Sequence, residues 1–350
     1  MITYRLATYK DNRQLIELAA SGGMEGTTSL RIDRNPDFFA LLNMRGDSTV
    51  FVALDGSDIV GSLSASIQQV FIDGKIYKVL YIGDFKVKET YRGKGIGIHL
   101  CDDLANYALS IDGDLVFLTV AKGNTKPLPF FKGRSNIPDF KNIGTFIVHQ
   151  FIGSNKKKVH QHYSVESATI NEEAIDFLNS HYRNYQLGSV ITKEKLAGTD
   201  LYLLRHNKDI VAVMCLADMM PVKQNIIVSM PWRMKLLLKL INVFHRVPGI
   251  SRMPKLNKPV QMIYIKYLGV NNNEKEPVEL LIRHAANIAY EKKYSFVSLG
   301  LHEKDPLNDC LGGLRKLNFY STGMFLSMKN DTALFEAVKQ GIPFEDYSLV

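Results

Sequence analysis

The sequence predicts an α/β fold, with mixed sheets covered by helices, repeated as two similar domains in tandem. Three observations carry that expectation. Strand and helix signals alternate through the first 150 residues, and the same order returns after residue 160. In addition, 350 residues exceed what one ordinary core holds, since roughly 150 to 200 per domain is usual.

The first half unfolds in order. Ile2 to Thr8 alternates as a strand does, and Asp11 suits the N-terminus of a helix through Ala20. Asn35-Pro36-Asp37 opens a second, short helix with Pro near its first turn. Thr49 to Leu54 and Ile59 to Ile72 are β-branched and apolar, separated by the hairpin turn DGSD. Ile76 to Val87 is a further strand after Asp73-Gly74. Gly97 to Ser110 spaces Ile98, Cys101, Leu104, Ala105 and Ala108 as a helix does. Leu115 to Val120 is a continuous apolar run, the pattern of a buried strand beside a parallel neighbour. A poorer helix and a strand from Gly144 to Phe151 close a first domain over residues 1–153.

The second half starts alike. Tyr163 to Thr169 reads as a strand, Asn171 to Tyr185 as a helix, and Asp200 to Arg205 with Ile210 to Leu216 as a hairpin. A strand (Met262 to Val270), a helix (Val278 to Lys292) and strands at Phe296 to Leu301 and Gly323 to Met328 follow. This echo at low identity predicts an internal duplication. The second domain then spans residues 160–350, with an insertion at about 221–260. The polar stretch GSNKKKVHQH, holding Lys156-Lys157-Lys158, reads as a linker.

Composition narrows the function classes. An apolar share of 46% with 22% charged residues belongs to a globular chain. The net charge of +8 suits a nucleic acid, an anionic membrane surface or an acidic ligand. No nucleic-acid motif accompanies it, so no nucleic-acid partner is expected. Cys101, Cys215 and Cys310 lie far apart, and His99, His149 and His245 show no triad or metal spacing, so no disulfide framework and no metal site are expected. The N-terminus lacks the apolar run of a signal peptide, and no run reaches the ~20 apolar residues of a bilayer span. A cytoplasmic protein is the expectation.

The sharpest chemical signal is YIGDFKVKETYRGKGIGIHL, residues 81 to 100. A strand ends at Val87, and Arg92-Gly93-Lys94-Gly95-Ile96-Gly97 then leads into a helix. Three glycines in five residues permit a tight turn with no Cβ in the way. Amides converge at the helix N-terminus, where free N–H groups and the dipole favour a phosphate, and Arg92 and Lys94 add charge. Two other phosphate motifs fail on spacing. A dinucleotide fingerprint would follow the first strand of a βαβ unit, and the G-x-x-x-x-G-K-[S/T] loop is absent.

Residues 84 to 97, DFKVKETYRGKGIG, resemble the acyl-CoA motif of the GNAT superfamily of N-acetyltransferases. Its signature is Arg or Gln, two residues, Gly, one residue, then Gly or Ala. Arg92, Gly95 and Gly97 fill it, and the resemblance covers roughly residues 1 to 150. It implies two GNAT-like domains in tandem, acetyl-CoA as the cofactor, and acetyl transfer to a primary amine of a small-molecule or peptide acceptor. It implies that amides from Arg92 through Gly97 hold the pyrophosphate. The segment Phe85, Lys86 and Val87 would pair with the pantetheine arm as an added strand, with Asn124 helping to hold that arm.

Acyl transfer needs a base for the amine, a donor for the oxyanion and a proton for the thiolate. By resemblance Asp84 is the candidate base, with Ile82, Phe85 and Val87 placed to desolvate it, and the Val87 amide is the oxyanion donor. The family's thiolate-protonating Tyr is replaced here by Phe131, and its Gly-Phe by Gly133-Arg134. Two alternatives stay open: transfer of a longer acyl chain, guided by the insertion, and a non-catalytic acyl-CoA sensor.

Opposite the motif, the second half reads NNNEKEPVEL after Val270, without glycine and with Glu274, Glu276 and Glu279. Carboxylates repel a pyrophosphate, so this half is expected to be a degenerate copy without a second CoA site. In the insertion, residues 221–266 hold no Asp or Glu. Trp232, Leu236, Leu237, Leu240, Ile241 and Phe244 give a broad apolar face, with Arg233, Lys235 and Lys239 elsewhere. The preferred reading is a lid that shields Trp232. The alternatives are an anionic membrane surface met through residues 230–246, or a protein partner. Monomer and homodimer both remain open.

Overall fold

The computed structural model describes residues 1–22, 29–132, 137–155, 162–244, 247 and 251–350. The stretch Lys156-Lys157-Lys158, the pair Gly133-Arg134 and His245 lie outside the described residues.

The first half runs β1 (Ile2–Leu6), α1 (Asn12–Ala20), β2 (Ser29–Asp33), α2 (Phe38–Arg45), β3 (Asp47–Asp55), β4 (Asp58–Ile72), β5 (Lys75–Val87), α3 (Ile96–Ser110), β6 (Leu115–Ala121) and β7 (Lys141–Ile152). The second runs β8 (Tyr163–Ala168), α4 (Glu172–Tyr182), β9 (Gly188–Ser189), α5 (Lys193–Leu196), β10 (Thr199–His206), β11 (Asp209–Ala217), β12 (Gln224–Ser229) and α6 (Trp232–Val243). It closes with β13 (Met262–Val270), α7 (Lys275–Glu291), β14 (Phe296–His302), α8 (Leu307–Cys310), β15 (Lys316–Ser327) and α9 (Thr332–Gln340). The expected strands and helices are present, with ends moved by a few residues. Asp37 and Asn171 cap α2 and α4 by accepting the amides of Phe39 and Ala174. The expected helix after Asn124 is one 3₁₀ turn, Leu128–Phe131, which Pro127 and Pro129 keep short.

One mixed sheet runs through both halves in the order β1-β3-β4-β5-β6-β15-β7-β14-β13-β11-β10-β8. Read inward from either end, the order is the same: β1, β3, β4, β5, β6 against β8, β10, β11, β13, β14. The parallel pairs also correspond. Strand β5 registers with β6 only over Val79 to Tyr81, and β13 with β14 only over Met262 to Tyr264. Strands β15 and β7, antiparallel to each other, form the centre.

That centre ties the halves together. β15 lies between β6 and β7, so a strand from the second half completes the sheet of the first. In return β7 pairs with β14 along seven positions from Phe146 to Ile152. Phe146, Phe151 and Phe325 are fully buried at this junction. Three strands went unpredicted: β9, which pairs with β4, and β2 and β12, which pair with each other in a small separate sheet.

Candidate active site

After Tyr81 and Phe117 strands β5 and β6 cease to pair, and they splay apart. The opening is a cleft of about 680 Å³. Its walls include Gly83 to Val87 from β5, Leu118 to Ala121 from β6, the Arg92–Gly97 turn, and Asn124 beyond β6.

The turn has the geometry its sequence requires. Gly93 and Gly95 sit at φ +81° and +79°, in the left-handed region that a Cβ disfavours. Ile98 and His99 both donate to the Gly95 carbonyl, each at 3.1 Å. The amides of Gly95, Ile96 and Gly97 therefore precede the first bonds of α3 and belong to its N-terminus, with Gly93 and Lys94 just ahead of it. Gly97 is small for another reason: a Cβ there would lie 2.7 Å from the Phe130 ring. Lys94 rests over Tyr91 at 4.4 Å, and Tyr91 donates to Asp55 at 2.9 Å. The Arg92 side chain, near Glu89 at 3.4 Å, is largely exposed.

Asp84 occupies a β-bulge. Leu63 on β4 stands opposite both Asp84 and Phe85, and Asp84 takes φ +49°. Its surroundings are polar. Arg34 Nη2 donates to Oδ1 at 2.8 Å, Ser64 Oγ to Oδ2 at 3.1 Å, and Ser62 Oγ to the carbonyl at 3.0 Å. Arg34 and Asp84 are both nearly buried, and Arg34 Nη1 has no hydrogen-bond partner among the described residues. The expected apolar neighbours of Asp84 are thus joined by a guanidinium and two hydroxyls. Arg34 follows β2 and lies fifty positions upstream, so no local pattern pointed to it.

Further along, Lys88 donates its amide to Val60 on β4 at 2.8 Å. Alternation along an antiparallel strand then turns the Val87 amide away from β4, toward the splay. Lys86 reaches back to the Ala19 carbonyl, and to that of Gly22 at 3.2 Å. Burial lowers its ammonium to about 8, against the pull of Asp84 and Asp33. Phe131 is buried in the core beside Phe85 and Phe140 and offers no proton. The hydroxyls at this wall belong to Tyr81 and Thr119, 3.2 Å apart. Burial pushes the Tyr81 phenol up to about 12, although Arg45 sits 3.5 Å from its ring centre. Arg45 is itself buried, paired with Glu345 at 2.8 Å, and donates to the Leu349 carbonyl. The chain's last residues thereby line the cleft.

The second splay, between β13 and β14, is filled. Tyr182, Tyr185, Phe344 and Tyr347 occupy it and leave about 10 Å³, too little for more than one water. A Cβ at Gly300 would lie 2.1 Å from Tyr347. Its counterpart turn puts Asn272 and Asn273 at positive φ, then Glu276 in the first turn of α7. Among the described residues no cluster suits a metal. His99 stacks on Tyr4, and His149 is held by Asn308 and Asn318.

The insertion departs from expectation. Trp232, predicted to be shielded, is 69% exposed, and no residue of α6 is fully buried. Only Leu238 and Ile241 pack inward, against a cluster that includes Leu41 and Met253. The helix roofs nothing, because its apolar stripe faces outward.

A cradle of amides at a helix N-terminus, opening onto a splayed pair of parallel strands, defines an acyl-CoA-dependent acyltransferase. Residues 13–134 match the Acetyltransferase (GNAT) family. The chain is 26% identical over 160 residues to L-2,4-diaminobutyric acid acetyltransferase of Shouchella clausii (strain KSM-K16), covering 45% of this chain and 83% of that protein. Over most of its length it shares its fold with Saccharomyces cerevisiae N-myristoyltransferase with bound myristoyl-CoA. There the TM-score is 0.60 at 11% identity, over 93% of this chain and 82% of that one. It likewise resembles a GCN5-related N-acetyltransferase from Anabaena variabilis ATCC 29413, with a TM-score of 0.56 at 12% identity over 94% and 73% of the two chains. The family match thus lies in the first half, and the chain as a whole shares the fold of these acyltransferases.

Proposed function

We propose that the protein transfers an acetyl group from acetyl-CoA to a primary amine, with its one cofactor site in the first half. The observation that carries this reading is the continuity of the Arg92–Gly97 turn with the β5–β6 splay in a single cleft. In this reading amides from Arg92 to Gly97 hold the pyrophosphate, and the arm runs along Phe85, Lys86 and Val87 toward Asn124. The Val87 amide meets the developing oxyanion. Asp84 takes the proton of the incoming amine, while Arg34 and Ser64 fix its orientation. The thiolate is protonated by solvent or by the Tyr81–Thr119 hydroxyl pair, since Phe131 cannot donate. Arg34 Nη1, which has no hydrogen-bond partner among the described residues, would hold an oxygen of the acceptor. The second half is a copy whose splay is closed by aromatic side chains, and it supplies β15 and the tail that wall the site.

One observation favours a longer acyl chain as a second reading. Leu30, Ile32, Phe38, Leu41 and Leu42 line the same cleft, and these side chains suit an aliphatic tail better than a polar acceptor. Turnover measured with acetyl-CoA and with a graded series of longer acyl-CoA donors decides between the two. A rate that falls with chain length supports acetyl transfer, and one that rises supports the second reading.

A further inference from the structure

Helix α6 is built inside out. A helix on the surface of a globular protein turns its apolar stripe inward and its polar face to water. Here the inner side is pinned by Asn242, whose amide side chain bonds both the carbonyl and the amide of Met253 at 3.1 and 2.9 Å. Leu238 and Ile241 alone add apolar contact beneath. The outer side carries Trp232, Leu236, Leu240 and Val243, spaced by four, four and three residues, at 69%, 51%, 51% and 71% exposure. Phe244 and Leu237 extend it and are also more than half exposed. This contiguous patch exceeds the scattered exposed apolar residues of ordinary surfaces.

Charge identifies what covers it. Residues 221–266 contain nine Lys or Arg and no Asp or Glu. Arg233, Lys235 and Lys239 flank the outward stripe and are exposed, as are Arg252, Lys255 and Lys258 in the following loop. A second copy of this chain is a poor occupant, since a two-fold contact sets the same basic surface against itself. A bilayer span is excluded by length. Twelve residues make a helix of about 18 Å, against a hydrocarbon core of about 30 Å. No helix among the described residues is long and apolar enough to cross a membrane. An apolar stripe with aromatic and aliphatic side chains, in a segment with exposed cations and no carboxylate of its own, suits a helix lying flat in a lipid interface.

We propose that α6 is a docking helix that seats this protein on an anionic lipid bilayer. Trp232, Leu236, Leu240 and Val243 enter the headgroup–acyl boundary, and the surrounding lysines and arginines meet the lipid phosphates. The helix follows directly on β12, the partner of β2. Leu30 of β2 and Leu41 of α2 share its inner cluster and also line the cleft. Docking therefore brings that wall of the cleft next to the lipid surface.

Trp232 is the only tryptophan in the chain, so its fluorescence reports on α6 alone. The test uses the full-length protein with vesicles of phosphatidylcholine alone or mixed with phosphatidylglycerol, at low and high salt. We expect co-sedimentation with the anionic vesicles at low salt, a blue shift of Trp232 emission and its protection from iodide. High salt or purely neutral lipid should reverse all three. Leu236→Asp with Leu240→Asp, both at exposed positions, should leave the thermal unfolding of the protein unchanged and abolish binding. Lys235→Gln and Lys239→Gln should each weaken binding about fivefold, as expected for the loss of one basic group near an anionic surface. Absence of co-sedimentation and of any emission shift overturns the proposal. So does a Trp232 that is already shielded in a vesicle-free dimer, which would give the face to a second copy. Capture of an acidic protein by this face without any lipid binding would assign it to that partner instead.

Discussion

Replacing Gly95 by Glu places a carboxylate in the turn proposed to hold the pyrophosphate. Gly95 is the N-cap of α3 at φ +79°, and a Cβ built there meets nothing within 4 Å. The fold therefore tolerates the side chain sterically, at a backbone cost of about 1–2 kcal/mol for leaving glycine in a left-handed conformation. In a chain of this length that lowers the melting temperature by only a few degrees. The effect on the ligand is larger. A carboxylate about 5 Å from a phosphate charge, at an effective dielectric constant of about 20, is repelled by about 3 kcal/mol, or two decades in affinity. Gly95→Ala carries the same strain without the charge and separates the two contributions. Calorimetric titration with CoA should show binding weakened at least a hundredfold in the folded Glu variant, and far less in the Ala variant. A folded Gly95→Glu protein with unaltered affinity would refute the placement of the pyrophosphate.

Asp84→Asn keeps the hydrogen-bond positions around Arg34 and should retain CoA affinity while turnover falls by at least about a hundredfold; an unchanged pH–rate profile would place the base elsewhere. Asp305, buried and bonded to the Leu307 amide, is raised by burial from near 4 to about 6. Its protonated form is favoured in the fold, so that stability is complete below about pH 4 and is lost as pH rises through 6, by about 3 kcal/mol. Denaturant unfolding at pH 4 and pH 7 should show a loss of stability that is smaller by about this amount in Asp305→Asn than in the wild type. The fragment 1–153 should not fold cooperatively, because β15 is missing between β6 and β7; a fragment with a sharp melting transition and CoA affinity would contradict the shared centre of the sheet.

What the sequence revealed and what it concealed divide along the range of the interactions. The Arg92–Gly97 turn is local: its glycines, its basic residues and the helix that follows are contiguous, so pattern and geometry agree. The stretch Asn271 to Glu279 is equally local, and its lack of glycine and its carboxylates are read directly from the sequence. Arg34 was not legible, because its meaning lies in a partner fifty residues away on another strand. The crossing of β15 into the first half leaves no local mark either. Any apolar strand near the end of the chain fits its own half equally well until the register is known. Strand β2 is short and half polar, and its pairing with β12 depends on the insertion. In α6 the apolar period was visible, but period alone does not say which side the body covers. Asn242 and Leu238 decided that, by anchoring the side with fewer apolar residues.

Catalysis is measured by free-thiol release from acyl-CoA in the presence of an amine library. Amine-dependent release of CoA thiol is expected, abolished in Gly95→Glu and reduced at least about a hundredfold in Asp84→Asn. Tight CoA binding with no amine in the library raising thiol release would contradict it, and would make the cleft a sensor of acyl-CoA rather than a site of transfer.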